Sequence, residues 1–271
     1  MKRFFLIGCF ALVVLASIAQ TKADTLQRNA SLIDIRLIKS GLADARDVAI
    51  APVRWNQTQW AIAFGVTGLT LGLVTQDLVI QQFAQNHQTP FLDAVTKYAL
   101  EPWGSGLYTL PALGIMYGMS FALHDKKARM TAIKGVEAFA YAAIATQILK
   151  QVFHRQRPSQ GEAPDPFFWE GPIGDISYTS FPSGHSAAVF AVATVIASSY
   201  KKTVWVPVLC YSLASLTALS RVYNNDHWMS DVIMGSAIGI AIGQTVFRNS
   251  VKFKLLPVSP QGTGLTLVYR L

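Results

Sequence analysis

Apolar residues fall along this chain in long blocks separated by short polar stretches, a pattern that predicts helices. Runs near 56–75, 104–124, 131–150, 184–200, 203–220 and 230–247 each read as one helix. Several sit at the short limit for crossing ~30 Å of hydrocarbon. Together they predict an all-α fold, a bundle of about six mostly transmembrane helices, as a core over 56–250. The last run carries Gly235, Gly239 and Gly243 on one face, a small-residue stripe that permits close helix packing. Ahead of the core, 24–55 is amphipathic and polar enough to form a helical arm outside the membrane. The chain opens with Met1-Lys2-Arg3, an apolar run from Phe4 to Ala19 and a polar stretch to Asp24, the pattern of a secretory signal over 1–23. The tail 251–271 has partial strand-like alternation from Gly264 to Leu271, and the sequence assigns it no role.

Composition agrees with a membrane location. Hydrophobic residues make up 51% of the 271 and charged ones 14%, which excludes disorder and argues against a wholly soluble chain. The formal net charge is +8, and cleavage after Ala23 would remove the three cations Lys2, Arg3 and Lys22, leaving +5. The same cleavage removes Cys9, so Cys210 remains without a disulfide partner. The basic excess does not cluster as a nucleic-acid surface would require. It collects in Lys126 to Arg129, in Lys201-Lys202 and in Arg248 to Lys254, where a membrane protein keeps cytoplasmic charge.

Three stretches carry chemistry. They are Lys150 to Arg157-Pro158, then Pro182-Ser183-Gly184-His185, then Ser220-Arg221 through His227 to Asp231. Lys150, Arg157 and Arg221 supply three cations for an anion, and the arginine fork donates to two oxygens at once. Ser183 and Gly184 precede a small apolar run, which puts backbone N–H groups at a helix N-terminus where an anion is favoured. His227 and Asp231, four apart, share a helix face, so the carboxylate can accept from one imidazole nitrogen and leave the other as a nucleophile. His185 is then available as a general acid that later activates water. Two histidines and an aspartate could ligate zinc in principle, but three crowded cations would repel it, and no metal or cofactor is expected.

In order and spacing, Lys-x6-Arg-Pro, Pro-Ser-Gly-His and Ser-Arg-x5-His-x3-Asp, these stretches resemble the type 2 phosphatidic acid phosphatase superfamily. That superfamily also includes bacterial acid phosphatases and vanadium haloperoxidases. The resemblance spans roughly 100–245. It implies a six-helix core, a phosphohistidine on His227, His185 as acid then base, Asp231 as its support, and phosphate held by Lys150, Arg157, Ser183, Gly184 and Arg221. The expected activity is metal-independent hydrolysis of a lipid-borne phosphomonoester or pyrophosphate, on phosphatidic acid, phosphatidylglycerophosphate, undecaprenyl pyrophosphate or lipid A. A secreted acid phosphatase is the alternative, with a vanadate-dependent haloperoxidase behind it. The expected partners are the lipid substrate and the membrane, not nucleic acid.

The basic loops lie at the bundle end opposite the motifs, so positive-inside placement predicts a bacterial inner-membrane protein with a periplasm-facing site. Export of the arm followed by six crossings would instead put the motifs in the cytoplasm. A run 56–75 that lies against the bundle without crossing reconciles the two, and with Gln57 and Gln59 it is the weakest of the six. Among the neighbours, His154 and Arg155 read as a solvated face of a helix end, and His87 and His124 as surface or interfacial. Glu137 is expected to pair with Lys134 one turn away. The loop between Pro158 and Pro182, with Phe167-Phe168-Trp169, reads as a lid or specificity element.

Overall fold

The computed structural model describes residues 35–257 and 265–269, with side-chain surroundings from 39 to 249. The expected signal over 1–23 lies outside the described residues. The chain divides into a unit ending at Ala43 and a second from Asp44 onward. In the first unit the described residues belong to helix α1 (Ile35–Ala49), which lies within the expected arm.

In the second unit a 3-10 turn, Ala51–Arg54, leads to α2 (Gln57–Val74). That helix starts where the pattern predicts because Asn56 and Gln59 cap each other: Gln59 N–H donates to Asn56 Oδ1 at 2.9 Å and Asn56 N–H to Gln59 Oε1 at 3.1 Å. A bend of 62° follows, then α3 (Asp77–Asn86). Short pieces come next: α4 (Pro90–Ala94), a π turn at Val95–Leu100 and α5 (Glu101–Ser105). The run expected to be helical from 104 begins only at α6 (Thr109–Ala122), because Gly106 adopts φ +91° and breaks the chain there.

Helix α7 (Lys126–Phe153) outruns its expected 131–150 because Asp125 caps it, accepting from Lys127 N–H at 2.9 Å and Ala128 N–H at 3.0 Å. Then come α8 (Gly184–Ser199), α9 (Trp205–Tyr223) and α10 (Met229–Lys252). Strands β1 (Phe253–Pro257) and β2 (Leu265–Tyr269) pair antiparallel as a hairpin in the tail, so the weak alternation there was a real signal.

Among the described residues three helices are long and apolar enough to cross a membrane, or four if the bent pair α2–α3 counts as one span. Helices α6 and α8 are apolar but shorter. The outward faces of α2, α6, α7 and α9 are rich in exposed apolar side chains, including Phe64, Leu71, Ile115, Ile144 and Leu209. Such a girdle suits hydrocarbon, not water.

Helix α8 is the axis of the bundle and packs against α7, α9 and α10. Its alanines meet those of α7 and the C-terminal half of α10 in one core of Ala138, Ala142, Ala187, Ala191, Val195, Ile242 and Val246. The glycine stripe lies on this seam. A Cβ at Gly235, Gly239 or Gly243 would overlap the carbonyl oxygen of Ser183, Ala187 or Ala191 in turn. The two backbones therefore touch along three successive turns.

The run 56–75 lies against the bundle, as expected, and does so over its whole height. Gln59 shares a cavity with Thr245, Arg248 and Asn249 at one end, while just past α2 Asp77 Oδ1 accepts from Ser230 N–H at 3.0 Å at the other. Helix α2 thus runs the height of the bundle beside α10. At the end away from Ser230, Lys134 Nζ donates to Asp44 Oδ2 at 2.5 Å and to Glu137 Oε2 at 2.8 Å, the expected pairing with one more acid. Asn249 completes this group by donating to Asp44 Oδ1 at 2.9 Å.

Candidate active site

The motif residues converge at the bundle end where α8 and α10 begin and α7 and α9 finish. Ser183 caps α8, and its own N–H donates to the Asp231 carbonyl at 3.0 Å, which ties the second motif to the third. Gly184 is the first residue of the helix. A Cβ there would stand 3.8 Å from Lys150 Nζ and 3.4 Å from Thr146 Oγ1, so the lysine amine reaches the exposed N–H groups of α8. Lys150 arrives one turn before the end of α7.

The two arginines frame a carboxylate. Arg221 Nη2 meets Asp226 Oδ2 at 2.8 Å, and Arg157 Nη1 stands 4.0 Å from Asp226 Oδ1. Burial pushes the Asp226 carboxyl up, against the pull of Arg221 and Arg157. Arg221 Nη1 also lies 3.4 Å from Glu101 on α5, while its Nε makes no hydrogen bond although buried. Arg157 Nη2 donates to Thr179 Oγ1 at 3.2 Å. Without substrate, acids hold the forks that an anion would take.

His227 is buried on the turn between α9 and α10, and its Nδ1 stands 3.6 Å from Asp231 Oδ2. Burial lowers its pKa to about 4; Asp231 opposes this and Arg157 and Lys150 add to it. The ring is therefore neutral near pH 7, and Nε2 is the nitrogen turned away from the carboxylate. His185 sits one residue into α8, its Nε2 buried without a hydrogen bond, and its ring leaves no room for a Cβ on Gly104. Every sequence-predicted site residue (Lys150, Arg157, Ser183, Gly184, His185, Arg221, His227 and Asp231) thus lies at this one end. His87 and His124 are exposed, as expected for surface residues.

His154 and Arg155 both depart from their expected place on a solvated face, and both are buried. Helix α7 ends at Phe153, and His154 takes φ +37°, which turns the chain inward. His154 Nδ1 then lies 2.7 Å from the Gly171 carbonyl, a contact it makes as donor. Arg155 becomes fully buried, bonded to Asp231, Ser230, Asp77 and the Pro166 carbonyl. Sequence reasoning also passed over Asp77, Glu101, Ser180 and Asp226. An isolated acid in a helical or turn segment carries no spacing signal, since its partner lies on a distant element.

Residues 132–254 match the family model of the PAP2 superfamily. That stretch, just under half of the chain, is similar to the PAP2 superfamily. Relatives align with parts of it. The lipid A 1-phosphatase of Porphyromonas gingivalis is 47% identical over 66 residues, 24% of this chain and 15% of that protein. The undecaprenyl-diphosphatase of Sulfolobus acidocaldarius is 32% identical over 114 residues, 42% of this chain and 52% of the relative. Phosphatidylglycerophosphatase B of Bacillus subtilis is 30% identical over 114 residues, 38% of this chain and 50% of the relative. The chain thus spans half or less of the length of most curated relatives it matches. The crystal structure of a transmembrane PAP2-type phosphatidylglycerolphosphate phosphatase from Bacillus subtilis superposes with a TM-score of 0.52, at 23% identity, over 81% of this chain and 96% of that one. The PAP2 fold is therefore shared, and the chain is a membrane protein of that fold.

Proposed function

We propose that this chain is a membrane phosphatase that hydrolyses a lipid-borne phosphomonoester or pyrophosphate through a phosphohistidine. The observation that carries this reading is one shared end of the bundle. There a neutral, carboxylate-backed imidazole, a second buried imidazole, three cations and the N-terminus of α8 all face the same space. A phosphate entering it replaces Asp226 and Glu101 on the arginine forks and takes N–H groups from the start of α8. Phosphate binding alone would not need His227 oriented by an acid.

The chemistry follows from the geometry. His227 Nε2 attacks phosphorus in line, and the P–O bond to the leaving group breaks. Burial and the neighbouring cations lower the His185 pKa to about 3 in the free site. As the phosphate dianion offsets those cations, His185 takes up a proton and gives it to the departing oxygen. His185 then takes a proton from water, the hydroxide attacks phosphorus, and the P–N bond breaks to free inorganic phosphate and His227. Throughout, Lys150, Arg157 and Arg221 hold the nonbridging oxygens and offset the charge.

A lipid substrate is favoured because the site opens at the end of helices with an apolar girdle, and because the names of the relatives are those of lipid phosphatases. The distribution of basic residues favours a site on the face away from the cytoplasm. Lys126, Lys127, Lys201 and Lys202 sit at the opposite end, where Lys127 Nζ lies 4.1 Å from the Tyr200 ring centre. The test is purified, detergent-solubilised protein against phosphatidic acid, phosphatidylglycerophosphate, undecaprenyl pyrophosphate and lipid A. Release of phosphate from at least one lipid, lost in His227→Ala, is the expected result. Turnover confined to water-soluble esters would favour the acid-phosphatase alternative.

A further inference from the structure

The guanidinium of Arg155 is fully buried between two indoles, 4.5 Å from the Trp169 ring centre and 5.5 Å from that of Trp228. All five of its N–H donors are used. Nη1 donates to Asp231 Oδ1 and, at 2.7 Å, to Ser230 Oγ. Nη2 donates to Asp77 Oδ2 and to the Pro166 carbonyl, each at 2.8 Å, and Nε donates to the same carbonyl at 3.2 Å. Asp77 is itself fixed, since Ser230 gives it both its N–H, at 3.0 Å, and its hydroxyl. One cation is thus shared by two carboxylates whose side chains are 0% exposed.

We propose that Arg155 is a positioning residue for phosphoryl transfer, holding Asp231 by one oxygen so that the other stays aimed at His227, with Asp77 on α3 fixing the guanidinium from behind. The proposal rests on the phosphohistidine reading. Its physical basis is that Asp231 has no second means of holding both oxygens. Oδ2 receives the Ser180 hydroxyl at 2.5 Å and Trp228 N–H at 3.0 Å, and it alone faces His227. Oδ1 is held by Arg155. Released from that fork, the carboxylate is held through Oδ2 alone and can tilt about those two contacts, so the group that selects the imidazole's tautomer is less firmly aimed. A lysine cannot replace the fork, because an ammonium on a flexible stem cannot span Asp231, Asp77 and the Pro166 carbonyl in one plane. The same guanidinium bonds the loop carrying Phe167 and Phe168, so the segment beside the site entrance and the nucleophile share one anchor.

The test compares purified Arg155→Lys, Arg155→Met and Asp77→Asn with wild type, using 4-nitrophenyl phosphate so that lipid docking does not enter. Arg155→Lys keeps the charge and loses the fork. It should lower kcat about 10–100-fold, the usual cost of losing an orienting partner behind an active group, with KM little changed. Arg155→Met removes the charge. The charged and titratable groups left around His227 are then Asp231, Lys150, Arg157, Arg221 and His185, with Asp231 uncompensated, so the acid limb of kcat/KM should move to higher pH. A purely structural ion pair would lower thermal stability without moving that limb. Asp77→Asn should lower kcat in the same sense, and adding it to Arg155→Lys should cost less than the two separate losses combined. If Arg155→Lys does not fold, Asp77→Asn decides alone. The proposal is overturned if the folded variants keep kcat within twofold of wild type, or if the loss lies wholly in KM. Full activity in His227→Ala would instead overturn the phosphohistidine reading itself.

Discussion

Asp231 Oδ2 stands 3.6 Å from His227 Nδ1 while it accepts shorter hydrogen bonds from Ser180 Oγ and Trp228 N–H. The aspartate is therefore more firmly held than the histidine it faces, and the pair is set up to close when phosphate arrives. This separates the two roles. His227→Ala should remove essentially all turnover, because no other group forms the bond. Asp231→Asn should retain measurable turnover, because only orientation and charge support are lost. His185→Ala should cost on the order of 10²–10⁴-fold, and less on esters with good leaving groups. Rapid-quench trapping of the phosphoenzyme checks the set, and a phosphoryl group found on any other residue refutes it.

The burial-lowered pKa of His227 fixes the acid side of the pH profile. A nucleophilic imidazole must be neutral, and this one is protonated only as the pH falls through about 4. The acid limb of kcat/KM should therefore appear near that value, well below the ordinary histidine range. A limb near pH 6.5 would mean that the ring is more hydrated than this packing allows.

Metal removal should leave activity intact. Lys150, Arg157, Arg221 and the first N–H groups of α8 already supply the positive side of the site. Dialysis against EDTA is expected to change kcat by less than twofold. Orthovanadate should inhibit competitively, since its trigonal-bipyramidal form resembles the transition state these groups surround.

Gly239 is the most sensitive position of the seam between α8 and α10. A valine there must push against the Ala187 carbonyl, backbone that has nowhere to move. We expect Gly239→Val to destabilise by about 1–3 kcal/mol, the range for overpacked cores, and to lower the melting temperature in detergent. Gly68→Val on α2, whose Cβ would meet nothing within 4 Å, serves as the neutral comparison.

Because α2 crosses the bundle, positions near Arg54 and Asp125 belong to one face and Gly171 to the other. Reporter fusions after Arg54 and after Asp125 should both read cytoplasmic, and one at Gly171 periplasmic. The reverse pattern would mean that residues 1–23 export the arm and that the site works on a cytoplasmic-leaflet lipid.

The sequence revealed the helices, and it singled out eight residues that the structure gathers at one end of the bundle, because both signals are local. Apolar runs mark helices, and each motif sets its own groups at short spacing. What it hid was long-range. Arg155 looked solvated because a helix continued past Phe153 would turn it outward, and nothing local announced that His154 would leave the helix at φ +37°. Asp77 lies 78 residues from its partner Arg155. The bend before it, and the full crossing by α2, depend on packing against α10 and not on the composition of 56–75.

The contact between α8 and α10 divides the molecule into a part that can vary and a part that cannot. His227, the proposed nucleophile, lies just before one of these helices and the proposed phosphate cradle at the start of the other, and where their backbones touch no side chain intervenes to absorb a shift. On the proposed function, changes in lipid preference must therefore arise elsewhere, in the 158–182 loop and in the short pieces between Pro90 and Ser105. Grafting those two segments between relatives should exchange head-group or acyl selectivity and leave the rate of phosphoryl transfer to histidine where it was.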